Sequence, residues 1–313
     1  MGHMDTSSRT SGGTGTAAAM ILGSCVSLQF GGAIAVHLFP TLGVWGVTAL
    51  RLGFAAVILM VAIRPRVRRW TPLQWRSVML FAVALAGMNG SFYCAIDRLP
   101  LGVAVTIEFL GPLLLSAALS RRMIDLAWVA LAFVGLGLLG IESVTQAESL
   151  DSVGVVFALV AGSFWVLYIL TSARVGQRVP GAGGLAMALV FSSLLVLPFG
   201  VSGVASAVGD PIPFVLALAV AMMSSVIPYT LELAALRRLP RHVFGILLSL
   251  EPVVAAIAGW ALLHQPTGPL RLAAITLVIV ASMGTIVTAR PTRVASAAPP
   301  VTDDEYAQMP EVS

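Results

Sequence analysis

Two stretches decide how this chain folds: AIDRLPLGVAVTIEFLGP, from Ala95 to Pro112, and ALRRLPRHVFGILLSLEP, from Ala235 to Pro252. They stand 140 residues apart, share Arg-Leu-Pro, and in both a second proline follows twelve residues after the first. Each joins one long apolar run to the next, so what repeats is a helical membrane segment. The chain is 58% hydrophobic and 10% charged, whereas a soluble domain carries about 25% charged residues. With a mean hydropathy of +0.95, lipid rather than water surrounds most of it.

Apolar runs fall at 17–39, 43–63, 75–96, 101–119, 126–142, 153–173, 182–204, 214–236, 243–263 and 270–289. Ten helices of about 20 residues each match the length that a hydrocarbon core of about 30 Å demands. In the fifth run, the shortest, Gly135, Gly137 and Gly140 suit close helix packing. The basic residues are all arginine, and they follow the even-numbered runs: Arg64, Arg66, Arg68, Arg69 and Arg76, then Arg121 and Arg122, Arg174 and Arg178, Arg237, Arg238 and Arg241, Arg290 and Arg293. With Arg9, fifteen of eighteen lie on one side, while the opposite loops carry Asp97, Glu142, Glu148, Asp151 and Asp210. The positive-inside rule then puts both termini in the cytoplasm. It also accounts for the pI near 9.7 without any nucleic-acid partner.

The first quoted stretch leaves an outer loop heading inward, and the second leaves a cytoplasmic loop heading outward. The expected fold is therefore an all-α membrane protein of ten transmembrane helices, arranged as two inverted five-helix repeats. Residues 17–142 and 153–289 form the repeats, residues 1–16 a tag and disordered leader, and residues 290–313 a disordered tail. Cys25 and Cys94 lie inside apolar runs and read as free thiols.

Four charges fall inside expected spans: Arg51, Glu108, Glu232 and Glu251. One charge at mid-bilayer costs about 2.5–3.5 kcal/mol on insertion scales, so these must face one another or a wet cleft. Glu108 and Glu251 each stand beside a proline, Pro112 and Pro252, which lacks the amide hydrogen for the carbonyl four residues back. A carboxylate at a helix break, in matching places of both halves, points to a central site rather than a structural kink. Arg51 either holds a substrate carboxylate or neutralises Glu108. Glu232, close before Arg237 and Arg238, reads more simply as one half of a local ion pair. Further polar candidates are Gln29, Asn89, Tyr93, Trp165, Tyr168, Tyr229 and Ser249; Trp165 and Tyr168 lie one turn apart, able to wall a pocket. His37 and His264 fall at outer helix ends.

The stretches GGAIAVHLFPTLGVWGVTALRLGFAA (31–56), GMNGSFYCAIDRLPLGVAVTIEFLGPLLL (87–115), SFWVLYILTSARVG (163–176) and IPYTLELAALRRLPRHVFGILLSLEPVVAAIAGW (227–260) resemble the drug/metabolite transporter superfamily. Within it they are most similar to the EamA-type threonine/homoserine exporters of bacterial inner membranes. The pattern RLPLG-x-A-x-x-x-EF-x-GPL carries that finer likeness, and the resemblance runs from about Ile21 to Arg290. It implies two EamA repeats and efflux of small neutral amino acids in exchange for protons.

The residues allow such a mechanism. Glu251 or Glu108 holds the substrate ammonium, and Arg51 or the amides of a broken helix hold its carboxylate. A carboxyl taken out of water favours its neutral form, so proton and substrate compete for one group, and alternating access turns competition into antiport. The partners are thus a small amino acid, protons and the bilayer; a homodimer is compatible with the sequence. Other metabolite or cationic-drug carriers remain a rival reading, and a channel is disfavoured by the lack of a polar helix stripe. For an intramembrane enzyme, Gly200-Val201-Ser202-Gly203 spells G-x-S-G, but Ser202 and His242 fall at opposite ends of their helices. Gly135 to Gly140 matches G-x-G-x-x-G without a preceding strand. No cofactor or metal is called for: H-E-x-x-H, C-x-x-C and the P-loop do not occur.

Overall fold

The computed structural model describes residues 8–119, 123–145, 150–179, 181–236, 247–266 and 268–288, helical almost throughout and without a strand among them. Expectations that rest on residues 1–7, Arg121, Arg122, Glu148, Arg237, Arg238, Arg241, His242 or the tail from 289 lie outside the described residues. Helix is present on every apolar run, the ninth in its described part.

The first two runs form one element, α1 (Ser8–Ile63), which turns at Gly43 with φ 67° and ψ 158°. A Cβ disfavours that conformation, and Pro40 just before it removes a helix donor. Two helices thus join there without a loop. α1 starts at Ser8, within the stretch expected to be a disordered leader. Extending a formed helix is far easier than nucleating one, so the apolar run recruits polar residues before it.

Arg64, at φ 48°, stops α1. Thr71 then opens α2 (Pro72–Ile96) with a reciprocal cap: its hydroxyl accepts from the Gln74 amide, and the Gln74 side chain accepts from the Thr71 amide. The fourth run is broken into α3 (Leu101–Glu108) and α4 (Leu110–Leu119), with Phe109 between them. α5 (Met123–Thr145) follows. Asp151 caps α6 (Ser152–Arg178) by accepting from the Val153 and Gly154 amides. Arg98 donates to the same carboxylate at 2.9 Å and holds it below the usual carboxylate range. α7 (Gly183–Gly209) leads through Asp210 to α8 (Pro211–Ala221), a π-helical turn (Met222–Val226) and α9 (Ile227–Leu236). Last come α10 (Glu251–Leu263), closed by His264 at φ 53°, and α11 (Pro269–Thr288).

Among the described residues five helices are long and apolar enough to cross a membrane: Gly15–Ile63, Pro72–Ile96, Ser152–Arg178, Gly183–Gly209 and Pro211–Glu232. Shorter apolar helices cover Leu101–Leu115, Leu126–Leu139, Glu251–Leu263 and Pro269–Gly284. Large apolar side chains point outward, among them Phe199, Val208, Ile212 and Trp260. In water such a surface would drive association; in lipid it is solvated. The chain is a multi-pass membrane protein.

Small residues let the backbones approach where helices cross. α1 packs along α7, α5 along α11, and α2 against α6 and α7; α1 also meets α8, α9, the π turn and α10, while α3 meets α6 and α10. Gly200 and Gly203 sit on the carbonyls of Trp45 and Leu42, and a methyl on Gly102 would lie 2.9 Å from the Ala256 Cα. Gly111 faces the Gly162 carbonyl where α4 crosses α6. Gly135 packs on the Ala274 carbonyl, but Gly137 opens onto free space, contrary to the packing role expected of it. Two residues apart on a helix point to nearly opposite faces.

Candidate functional site

Pro228 sets up one wall of the site. It has no amide hydrogen, so neither the carbonyl four residues back (Ser224) nor the one five back (Met223) receives a helix donor from it. Around it the helix widens: the Ile227 amide reaches the Met222 carbonyl, the spacing of a π turn. Both freed carbonyls are taken by side chains of α1. Arg51 Nη2 donates to the Ser224 carbonyl at 2.6 Å, and Ser27 Oγ donates to the Met223 carbonyl at 2.7 Å. Arg51 Nε also donates to Ser225 Oγ at 3.1 Å, and its guanidinium lies 5.1 Å above the Tyr93 ring. Two of the five N–H donors of a guanidinium are thereby fixed. Among the described residues no ion pair joins Arg51 to Glu108.

The two broken runs place their carboxylates differently. Glu108 ends α3 just before the break, whereas Glu251 begins α10 just after it. Pro112 and Pro252 both fall in the first turn after the break, where a missing amide hydrogen costs nothing. Pro252 therefore starts a helix rather than kinking one. The Glu108 carbonyl faces Gly162, where an added methyl would come within 2.7 Å. Glu251 accepts from Gln29 Nε2 at 2.8 Å, at a helix N-terminus that favours negative charge.

These groups surround one cavity of about 430 Å³, within the roughly 300–1,000 Å³ typical of small-ligand sites. Gln29, Arg51, Asn89, Tyr93, Glu108, Pro112, Trp165, Tyr168, Tyr229, Ser249 and Glu251 all line it, and Pro252 stands behind Glu251 outside the lining. Trp165 meets Phe109 edge-on at 4.8 Å, and Tyr168 packs on Phe81. Asn89 Nδ2 donates to the Leu85 carbonyl, and Ser249 shares a hydrogen bond with Ser282. Two buried hydroxyls of the lining, those of Tyr93 and Ser224, have no partner among the described residues. His37 lies outside the cavity, against the Leu262 carbonyl at 3.2 Å.

Glu232 has a partner that the sequence did not indicate. It lines the same cavity and accepts from Ser24 Oγ at 2.7 Å; its expected partners Arg237 and Arg238 lie outside the described residues. Sequence proximity sees along one helix only, whereas Ser24 comes from another. Ser224 and Ser282 were missed altogether. The available signal for Ser224 was Pro228, a proline in mid-run four residues after a serine.

The threonine/homoserine exporter RhtA of Escherichia coli (strain K12) is 38% identical to this chain over 271 residues, covering 87% of this chain and 91% of its own length. The chain belongs to the EamA-like transporter family. The family model itself matches residues 152–287, the second half. The RhtA of Salmonella typhimurium (strain LT2) is also 38% identical, over 84% of this chain and 89% of its own. A protein of known crystal structure matches in fold with a TM-score of 0.55 at 17% identity, over 89% of this chain and 96% of its own. This EamA-like chain is accordingly a transporter and not an enzyme.

Proposed function

We propose that this transporter is a secondary exporter of small neutral amino acids of the threonine/homoserine kind, acting by proton antiport in a bacterial inner membrane. The observation that carries the reading is the single cavity onto which Glu108, Glu232, Glu251 and Arg51 all open. An amino acid brings one cation and one anion. The planar guanidinium of Arg51, already held by the π turn, presents its remaining donors to a carboxylate, a pairing that can be bidentate. Glu251 or Glu108 receives the ammonium. When the substrate leaves, a proton takes its place on the carboxylate, and exchange follows if the cavity opens to each side in turn. The unpartnered hydroxyls of Tyr93 and Ser224 suit a substrate that carries a hydroxyl itself. The substrate named for both relatives fits this inventory.

The accompanying architecture is ten spans in two inverted halves, termini cytoplasmic. The packing of the helices supports it. If each span of the first half exchanges with its counterpart in the second, α2 against α6 becomes the first part of α1 against α8 and α9. Likewise α4 against α6 becomes α1 against α10, while α1–α7 and α5–α11 map onto themselves. A twofold relation between the halves would produce that pattern.

The test is transport in proteoliposomes. Counterflow is expected to be strongest with threonine and homoserine, and a pH gradient is expected to drive threonine accumulation. Glu251→Gln is expected to abolish the response to the gradient. Threonine flux indifferent to the gradient would remove proton coupling, and absence of threonine counterflow would remove the substrate.

One observation favours a second reading, a cationic metabolite or drug. Among the described residues the lining holds three carboxylates against one arginine and gathers Tyr93, Trp165, Tyr168 and Tyr229. Aromatic faces and carboxylates together bind cations. Quaternary amines in the same counterflow panel separate the two.

A further inference from the structure

A second cleft, of about 260 Å³, lies between the start of α2 and the end of α6, apart from the central cavity. Three arginines line it: Arg76 on α2, and Arg174 and Arg178 on α6. Arg174 and Arg178 are one turn apart, so they share a face of α6. Arg178 is tied down, its Nη1 donating to Ser77 Oγ at 2.8 Å and its carbonyl accepting from Gln74 Nε2 at 2.6 Å. Among the described residues no carboxylate lines the cleft. The ion pair seen among the described residues, Arg98–Asp151, belongs to another loop. Three like charges facing one small space repel one another, and an anion among them reverses the sign of that interaction.

The neighbours of the arginines say which anion. Leu73 and Leu80 line the same cleft and are 55% and 45% exposed. Val83 and Leu170 continue the apolar surface down α2 and α6. Trp70 and Trp75, with ring centroids 5.1 Å apart, stand at the same end of α2 as Arg76. Tryptophan is enriched at the boundary between headgroups and hydrocarbon. The cleft therefore has a cationic end at the membrane boundary and an apolar end running toward the bilayer interior. A free phosphate would use only the first; an amphiphile uses both.

We propose that this cleft binds an anionic phospholipid, with its phosphate among Arg76, Arg174 and Arg178 and an acyl chain over Leu73 and Leu80. Basic pockets between membrane helices favour such headgroups. α2 also carries Asn89 and Tyr93 to the central cavity, and α6 carries Trp165 and Tyr168. A headgroup clamped across the ends of both helices therefore holds the wall of that cavity, and links lipid composition to transport.

The full chain in detergent is titrated with phosphatidylglycerol, phosphatidylcholine or inorganic phosphate, and bound lipid is counted by native mass spectrometry. Phosphatidylglycerol is expected to bind at least about tenfold more tightly than phosphatidylcholine. Removing Arg76 and Arg174 together as glutamine is expected to weaken it about 25-fold, from about fivefold per arginine near an anionic headgroup. Arg76→Lys/Arg174→Lys keeps the charge and is expected to stay within a few-fold of the parent. Arg66→Gln/Arg68→Gln, which removes equal charge away from the cleft, is expected to change nothing. If the paired glutamine variant fails to fold, Arg76→Gln alone reads the same comparison at a surface position. Equal binding of both lipids, or equal loss in the Arg66/Arg68 variant, overturns the proposal. Inorganic phosphate displacing phosphatidylglycerol at similar affinity also overturns it, by assigning the cleft to a free anion.

Discussion

Arg51 spends two donors, Nε and Nη2, on the π turn and lines the cavity. A lysine carries the same charge but cannot make two in-plane contacts and still offer a fork. Arg51→Lys is therefore expected to fold and to lower kcat/KM for threonine exchange at least about tenfold, a loss of about 1.4 kcal/mol. Counterflow in proteoliposomes beside a thermal-unfolding measurement checks both halves, and an unchanged rate would exclude the guanidinium from substrate binding. Glu232 makes the complementary point about what residue-level reading can see. The fold gives it Ser24, 208 residues away, a partner that no sequence pattern indicates.

The π turn is a property of an element, not of a residue. Pro228 withholds one amide hydrogen, the helix widens, and two carbonyls become acceptors for α1. Pro228→Ala restores the donor and favours an ordinary α-helix, in which proline is disfavoured by about 3 kcal/mol. The variant is expected to be at least as stable as the parent yet slower in transport, because the restored amide competes with Arg51 for the Ser224 carbonyl. Thermal unfolding and threonine exchange measured on one preparation test this; parental exchange rates would mean that the widened turn serves packing alone. The breaks at Phe109 and before Glu251 were legible as the prolines that open the next helix. The joint at Gly43 was legible only as the gap between two apolar runs.

At the scale of the molecule, the inverted arrangement makes a claim about sides. Arg68 lies between α1 and α2, and Ser152 begins α6; the proposed topology puts them on opposite faces of the membrane. Both native cysteines are buried, which suits single-cysteine labelling. In intact cells a membrane-impermeant maleimide is expected to modify Ser152→Cys and to spare Arg68→Cys until the membrane is opened. Equal labelling of both before opening would refute the assignment of sides.

The sequence by itself determined that this chain lives in lipid, where its helices run, and which charged and polar side chains are out of place there. Those are consequences of composition and periodicity, since a buried backbone in hydrocarbon must satisfy its own hydrogen bonds and unpaired charge is costly. Only the tertiary structure decided which of those side chains share a cavity. Gln29 with Glu251, Ser24 with Glu232 and Arg51 with Ser224 pair across separations of 173 to 222 residues. No local pattern encodes such partners, because they follow from how glycine-lined helices cross rather than from what any one helix contains.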